Sequence, residues 1–427
     1  MIDTALKPEC LLLVGVSAED NPSQTERNLD ELEELVHTAG GITVGRLIQR
    51  RESIHPGTYL GKGKTEELRQ LLAETGAVGI VCDDELTPAQ LRNLEELLNC
   101  KIMDRTLVIL DIFAARASTG EGKLQVELAQ LKYRATRLVG MRNSLSRLGG
   151  GIGTRGPGEK KLEIDRRLIH ERIGTLKGEL SEVRAHREVN RTKRQRANLM
   201  VAAIVGYTNA GKSTLLNALT GADALAEDML FATLDPLTRS LAFEDGGEML
   251  LTDTVGFISK LPHQLIDAFR ATLEETVYAD VILHVVDASD PQMDLHMHVV
   301  YETLRELGVK DKPIITVFNK MDEVARKRAE DGEYDFVKCR DLAADHMVWV
   351  SARTGENLDE LKRVLEQELL GRQLHVRLLL PYEKAGLVQL LRKYGRLSTE
   401  EYREDGLFAE GYLPVEYINE VKDYQLE

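Results

Sequence analysis

The sequence predicts an α/β protein in four parts. These are an N-terminal α/β domain over 1–115, a basic helical hairpin over 116–197, a larger α/β domain with a mainly parallel sheet over 198–370, and a small C-terminal α+β domain over 371–427. Three observations predict it. Apolar runs of strand length, such as Cys10–Val16 and Leu199–Val205, alternate with segments whose leucines recur at helical spacing. Two leucine-rich helical stripes flank a glycine-rich break. A glycine loop, Gly206–Ser213, stands between a strand signal and a helix signal.

The N-terminal part opens with the Cys10–Val16 run, apolar throughout as in a strand buried on both faces. Leu29, Leu32, Leu35 and Val36 mark a helix, and Ile42–Leu47 and Val78–Cys82 are further strands. Thr87-Pro88 opens the next helix, with Pro at its first position, and Leu91, Leu94 and Leu98 form its apolar face. A helix is also expected to start near Glu66, after the basic turn Gly61-Lys62-Gly63-Lys64-Thr65. That turn looks like part of a phosphate loop, but Thr58 stands where the first glycine belongs. Strand and helix in alternation imply a parallel sheet.

In the hairpin, Leu124, Leu128, Leu131, Ala135 and Leu138 line one helix. Leu162, Ile169, Ile173, Leu176, Leu180 and Val183 line the other, partly on heptad spacing. The break between them, Gly149–Gly158, holds six glycines in ten residues and cannot stay helical. It is longer than a connection between neighbouring helices requires. Glycine permits close backbone approach, and Arg142, Arg147 and Arg155 beside it suit phosphate.

Composition narrows the function. The chain is acidic overall, at −15, yet Arg116–Arg196 holds 20 Lys/Arg against 9 Asp/Glu. A basic segment inside an acidic protein is the mark of a polyanionic partner. No apolar stretch reaches the ~18–20 residues that span a bilayer. The first ten residues lack the basic-then-apolar pattern of a secretion signal. Cys10, Cys82, Cys100 and Cys339 are scattered, so a zinc site or disulfide framework is not expected, and a reducing cytoplasm is.

The central domain carries the chemistry. Gly206-Tyr207-Thr208-Asn209-Ala210-Gly211-Lys212-Ser213, followed by Thr214, matches G-x-x-x-x-G-K-S/T in its strand-to-helix setting. Backbone N–H groups and a helix N-terminus would cradle phosphate there, with Lys212 on the β- and γ-phosphates and Ser213 on Mg²⁺. Asp253-Thr254-Val255-Gly256 follows a short strand. Asp253 would hold Mg²⁺ through water, and the Gly256 N–H would meet the γ-phosphate. Between them lies Phe231-Ala232-Thr233-Leu234-Asp235-Pro236, whose Thr233 is the expected third Mg²⁺ ligand.

Asn319-Lys320-Met321-Asp322 follows the strand Ile314–Phe318. A carboxylate at Asp322 accepts from guanine N1–H and N2–H, a pair that adenine does not offer. Ser351-Ala352-Arg353 would place a backbone N–H near guanine O6. These residues predict GTP and GDP as ligands, with Lys212, Asn209, Thr233 and Gly256 nearest the reaction. Phe257 stands where Ras-like GTPases carry a water-orienting Gln, so slow hydrolysis by the isolated protein is expected. Asn209 has two readings. Either it helps hold K⁺ near the phosphates, supplying the charge of an arginine finger, or it only stabilises the loop.

Together these motifs resemble the HflX family of ribosome-associated GTPases, over nearly the whole chain. The resemblance rests on the nucleotide motifs, on Gly120-Glu121-Gly122-Lys123-Leu124-Gln125-Val126-Glu127-Leu128-Ala129-Gln130-Leu131, and on the Gly149–Glu159 loop. It implies a cytoplasmic GTPase that binds the large ribosomal subunit and splits stalled ribosomes; a monomer, with a share at the membrane, is the further expectation. It also implies that the hairpin touches ribosomal RNA through its glycine loop, placing Arg142, Arg147, Gly151, Gly153 and Arg155 at that contact. An RNA-remodelling GTPase acting off the ribosome, and a signalling switch with the hairpin as a protein-docking arm, remain open alternatives. So does nucleotide binding at the Gly61 turn.

Overall fold

The computed structural model describes residues 8–17, 22–145, 157–196, 199–221, 229–243, 247–260, 273–331, 340–371, 373–414 and 417–426. The chain forms two compact units. The first comprises Met1–Arg184, Glu227–Asp235 and Ile258–Ala271; the second comprises Ala185–Ala226, Pro236–Phe257 and Thr272–Glu427.

In the first unit, β1 (Cys10–Ser17), β2 (Ile42–Arg50), β3 (Gly79–Cys82) and β4 (Lys101–Asp104) form a parallel sheet in the order β2-β1-β3-β4. Leu12, Leu13 and Val14 of β1 are fully buried, as the uninterrupted apolar run requires. The helices are α1 (Pro22–Thr38), α2 (Lys62–Thr75), α3 (Pro88–Leu98) and α4 (Arg105–Arg116). Leu29, Leu32 and Leu35 of α1 are fully buried. Thr87 caps α3 in a reciprocal capping box with Gln90, ahead of Pro88.

Helix α2 begins at Lys62 rather than near Glu66. Gly61 takes an extended N-cap conformation, so the basic turn is the helix's own first turn. The Gly61 N–H donates to Gln49 Oε1 at 2.8 Å, and Thr65 Oγ1 donates to the Gly61 carbonyl at 3.1 Å. Both groups are already partnered within the fold.

β4 and α4 went unread in the sequence: the strand is only four residues long, and the helix follows it with no residue between. The buried Asp104 between them organises the joint. It caps α4 through the Leu107 N–H and accepts from Tyr133 Oη at 2.6 Å and Arg137 Nη2 at 2.5 Å. Tyr133 and Arg137 belong to α5 (Gly120–Leu145), which pairs with α6 (Pro157–Arg196). Leu128, Ile173, Leu176 and Leu180 form the hairpin core, flanked by Leu124, Leu131, Ala135 and Ile169. Arg172 grips Glu127 with two bonds across the pair, at 2.8 and 2.9 Å. Arg142 lies in the backbone of α5, while Arg147, Gly151, Gly153 and Arg155 fall outside the described residues.

In the second unit, β5 (Met200–Gly206), β6 (Leu237–Ala242), β7 (Glu248–Asp253), β8 (Val281–Asp287), β9 (Ile314–Asn319) and β10 (His346–Trp349) form one sheet in the order β10-β9-β8-β5-β7-β6. All its pairs are parallel except β6 with β7. β6 escaped the sequence reading because it is an edge strand with Leu241 as its one deeply buried side chain, so no apolar run marks it. Helix α7 (Lys212–Thr220) follows β5 directly after the glycine loop.

The C-terminal part of this unit is an antiparallel sheet of β11 (Gln373–Leu380), β12 (Arg396–Arg403) and β13 (Gly406–Pro414), in the order β11-β13-β12. Val376, Leu378, Leu407 and Leu413 pack on the helix Val388–Tyr394 through Val388 and Leu391. A 3-10 turn over Tyr382–Leu387 leads directly into that helix.

A buried carboxylate network supports β8 and β9. Asp341 accepts from Thr316 Oγ1 and Tyr301 Oη, each at 2.6 Å, beside His284. Burial alone would raise its pKa, but His284, Thr316 and Tyr301 outweigh that and hold the carboxyl far below the usual carboxylate range. Its contribution to stability is therefore present above the unfolded-state pKa of about 4 and is lost as the pH falls below it. Asp341→Asn is expected to lower the urea midpoint at pH 7, with the gap to wild type narrowing towards pH 3. An equal gap at both pH values would contradict this assignment.

Candidate nucleotide site

The site is built at the carboxyl ends of the central strands of the second unit, where open α/β sheets bind ligands. β5 ends at Gly206, whose position lies against the Val285 carbonyl of β8; a Cβ there would collide with that oxygen. At the far end of the loop Gly211 takes φ +91°, and a Cβ there would run into Asn319 Nδ2. Both glycines are thus required by close approach, the second also by its backbone. Asn209, exposed, takes φ +61° between them.

Lys212 is the first residue of α7. Its ammonium is buried and donates to the Tyr207 carbonyl at 2.8 Å. Burial lowers its pKa to about 8, with Asp253 opposing and Lys320 adding to the shift. A cation buried at a helix N-terminus is costly unless an anion joins it. The arrangement suits phosphate oxygens, which would meet the ammonium, the loop amides and the helix end together.

Ser213 Oγ donates to Asp253 Oδ2 at 2.7 Å, which brings the end of β7 to the start of α7. A hydroxyl and a carboxylate are hard oxygen donors of the kind that hold Mg²⁺ alongside phosphate and water. These residues fit that ion. Beyond Asp253 the chain is stitched to the loop: the Phe257 N–H donates to the Gly206 carbonyl at 3.1 Å and the Thr208 N–H donates to the Phe257 carbonyl at 2.8 Å. This sets Gly256 against the loop, where a Cβ would stand 2.8 Å from Thr208 Cγ2 and 3.0 Å from Lys212 Nζ. Thr208 Oγ1 is buried there with no hydrogen-bond partner. The Thr254 hydroxyl turns away to the Ile204 carbonyl at 2.7 Å, and Val255 is buried. Phe257 is 1% exposed, so its ring serves packing.

Asn319, at the end of β9, joins the two ends of the site. Its Nδ2 donates to the Ala210 carbonyl and its Oδ1 accepts the Ala352 N–H, each at 2.9 Å. Ser351 Oγ donates to Asp322 Oδ1 at 2.7 Å, which orients that carboxylate. Lys320, at φ +64°, pairs with Asp287 at 2.7 Å. Met321 packs beside Phe318 and Val324, while Arg353 reaches Glu323 at 3.4 Å.

The second unit therefore brings together residues 206–214, Asp253–Gly256, Asn319–Asp322 and Ser351–Arg353. Phe231–Asp235, with Thr233, belongs to the first unit. Two residues at the site escaped the sequence reading. Asp287 holds Lys320, and its position at a strand end was the available signal. His296 stacks on Tyr207 with ring centroids 3.7 Å apart, a contact made across the fold with no local mark in the sequence.

Comparison with known proteins gives consistent matches along the chain. Residues 26–114 match a family described as GTP-binding GTPase N-terminal, 116–194 match GTP-binding GTPase Middle Region, and 201–320 match 50S ribosome-binding GTPase. A protein named GTPase HflX from Lacrimispora saccharolytica is 61% identical over 97% of this chain and 96% of its own length. Another of that name, from Caldanaerobacter subterraneus, is 45% identical over 99% of this chain and 95% of its own. A solved structure titled as the crystal structure of SsGBP and GDP complex aligns at 25% identity and a TM-score of 0.47, covering 84% of this chain and 98% of that one.

Proposed function

The chain belongs to the GTPase HflX family, and from that premise we propose that it is a GTP switch of the large ribosomal subunit, one that hydrolyses GTP to GDP and phosphate and separates the subunits of stalled ribosomes. The observation that carries the nucleotide half of this reading is Asn319, whose one side chain ties the phosphate loop to the base loop. A site tied in this way holds triphosphate and base at a fixed separation.

The proposed roles follow from position. Lys212 and the amides of 206–214 hold the phosphates, and the Gly256 N–H reports the γ-phosphate. Ser213, Asp253 and Thr233 would hold Mg²⁺, which when bound neutralises charge on the phosphate oxygens. Asp322, oriented by Ser351, selects guanine, while Ala352 and Arg353 close the base pocket. With Phe257 packed in the core, no side chain at that position orients the attacking water, so turnover should be slow until a partner completes the site.

We assign Asn209 to holding K⁺ beside the phosphates. It is exposed, at φ +61°, between the two glycines that bound the phosphate loop. Hydrolysis is then expected to run several-fold faster in potassium than in sodium buffer, and equal rates would remove the cation role.

The ribosomal half rests on the basic segment Arg116–Arg196 and on the 50S ribosome-binding description of the family matched over 201–320. Phosphate neutralisation drives RNA binding and makes it salt-sensitive. Hydrolysis with and without large subunits tests the whole reading, and strong stimulation is expected. Changing Arg142, Arg147 and Arg155 together to Glu should abolish both the stimulation and co-sedimentation with a non-hydrolysable GTP analogue. Binding to free RNA alone would favour an RNA-remodelling GTPase acting off the ribosome.

A further inference from the structure

Hydroxyl groups around the nucleotide site are spent within the fold. Ser213 Oγ donates to Asp253, the Thr254 hydroxyl donates to the Ile204 carbonyl, and Thr252 Oγ1 pairs with Thr238 Oγ1 at 3.0 Å. The Thr208 hydroxyl is different. It is buried and makes no hydrogen bond, and the residue as a whole is 6% exposed. A threonine in a turn ordinarily returns its hydroxyl to a nearby backbone group. A buried hydroxyl without any partner destabilises the fold. Its place in the phosphate loop calls for a partner that arrives with the ligand.

Thr208 is held where it stands. Its N–H donates to the Phe257 carbonyl at 2.8 Å, and the Phe257 N–H donates to the Gly206 carbonyl at 3.1 Å, so the loop is joined to the segment that follows β7. The preceding residue is fixed as well. The Tyr207 ring stacks on His296 of the helix Met293–Glu306, and the Tyr207 carbonyl takes the Lys212 ammonium. The Thr208 side chain thereby meets the two groups assigned above to the γ-phosphate. A Cβ added to Gly256 would stand 2.8 Å from Thr208 Cγ2, 2.9 Å from Thr208 Cα and 3.0 Å from Lys212 Nζ. The hydroxyl shares its own Cβ with that methyl. A phosphate reached by both the Gly256 N–H and Lys212 therefore comes within reach of the Thr208 hydroxyl.

We propose that the Thr208 hydroxyl is a catalytic group of GTP hydrolysis, orienting the attacking water that Phe257 cannot orient. The inference rests on the GTPase reading above and names a further residue of that site. A glutamine side chain after Gly256 would orient the water by hydrogen bonds. A hydroxyl has the means to do the same, with one O–H to donate and two lone pairs to accept. Thr208 donates to a γ-phosphate oxygen and accepts a hydrogen bond from the water. In the step itself the water oxygen bonds to the γ-phosphorus. The bond from that phosphorus to the β,γ-bridging oxygen breaks, and its electron pair leaves with GDP. A proton of the water passes to the departing phosphate, and Thr208 keeps its own. The contact to the water is realised as the water attacks, so it acts on kcat more than on KM. A single neutral hydroxyl orients water weakly, in keeping with the slow turnover expected of the isolated protein.

Two variants of the full chain separate the hydroxyl from the shape of the side chain. Thr208→Val keeps the branched outline and removes the hydroxyl, while Thr208→Ser keeps the hydroxyl and removes the methyl. Each is assayed for GTP hydrolysis without ribosomal subunits, and for binding of GDP and of a non-hydrolysable GTP analogue. Thr208→Val is expected to lower kcat by about 10- to 100-fold, with KM and both affinities within about 2-fold of wild type. Thr208→Ser should keep kcat within about 3-fold of wild type. The thermal midpoint without nucleotide should rise in Thr208→Val, because a buried hydroxyl with no partner is gone. A purely structural role for the hydroxyl predicts the opposite shift. Wild-type kcat in Thr208→Val, or an equal loss of kcat in Thr208→Ser, would overturn the catalytic role. So would a loss of affinity large enough to account for the whole loss of activity. Wild type is measured first: if it neither bound guanine nucleotide nor turned over GTP, the GTPase reading would fail and this inference with it. Normal wild-type turnover with a fully active Thr208→Val would sink the inference alone.

Discussion

Asp322→Asn is expected to lower GTP affinity by about a hundred- to ten-thousand-fold, because a hydrogen bond to a charged group contributes ~1.5–3 kcal/mol and guanine would make two of them. The fold should tolerate the change. Ser351 Oγ donates to Asp322 Oδ1, and an amide oxygen accepts the same bond. The second oxygen becomes an NH₂ donor, which faces the guanine N2–H₂ donor without a partner. Xanthine carries an oxygen at that position. The variant should therefore recover binding to xanthosine triphosphate, and a competition assay with labelled nucleotide measures both effects. If the variant kept wild-type affinity for GTP, the base pocket would have been assigned to the wrong residues.

Lys212→Met is expected to reduce kcat for GTP by about 10²–10³-fold, in line with the loss of one preorganised charge on the reacting phosphates. The same variant should make the protein without nucleotide more stable, which is the less obvious half of the prediction. The ammonium is buried, and its pKa falls from the ordinary 10.5 to about 8. A group whose folded pKa lies below its unfolded value in this way destabilises the fold while it is charged. The penalty is complete below pH 8 and fades as the pH rises from 8 towards 10.5. Methionine fills the same space without the charge. The thermal midpoint of the variant should exceed that of wild type at pH 7, and the difference should shrink at pH 9.5. Addition of GTP should reverse the order at pH 7, since wild type gains more from binding than the variant, which lacks the ammonium on the phosphates. A variant less stable than wild type at pH 7 without nucleotide would show that Lys212 is not held at a cost.

Much of this site was legible before any coordinates, and the reason is local. Gly206 to Ser213, Asp253 to Gly256 and Asn319 to Asp322 are short runs at strand ends, each carrying its chemistry within four to eight residues. A backbone that must turn tightly around an anion needs glycine wherever it stands, so spacing alone exposes it. The buried parallel strands were legible for a similar reason: β1 and β5 carry long apolar runs because both faces are covered, and β8 is broken only by His284 before its terminal Asp287. Short or half-exposed elements were not. β4 has four residues, β6 is an antiparallel edge, and the C-terminal β12 exposes half of its side chains and fully buries none, so none leaves an apolar run.

The sequence by itself determined the ligand, the class of reaction and the basic hairpin, because each is carried by residues adjacent in the chain and by the chemistry of their side chains. Only the tertiary structure decided that Asn319 joins the phosphate and base loops, that Lys212 is buried, and that Asp235 and Lys260 are fastened to the N-terminal unit. Those facts depend on contacts between residues far apart in the chain, such as Thr119 with Asp235 and Asp84 with Lys260, and on how far each charge is removed from water. Neither quantity is encoded in any window of the sequence; both appear when the chain closes on itself and burial fixes which donors each charge can reach.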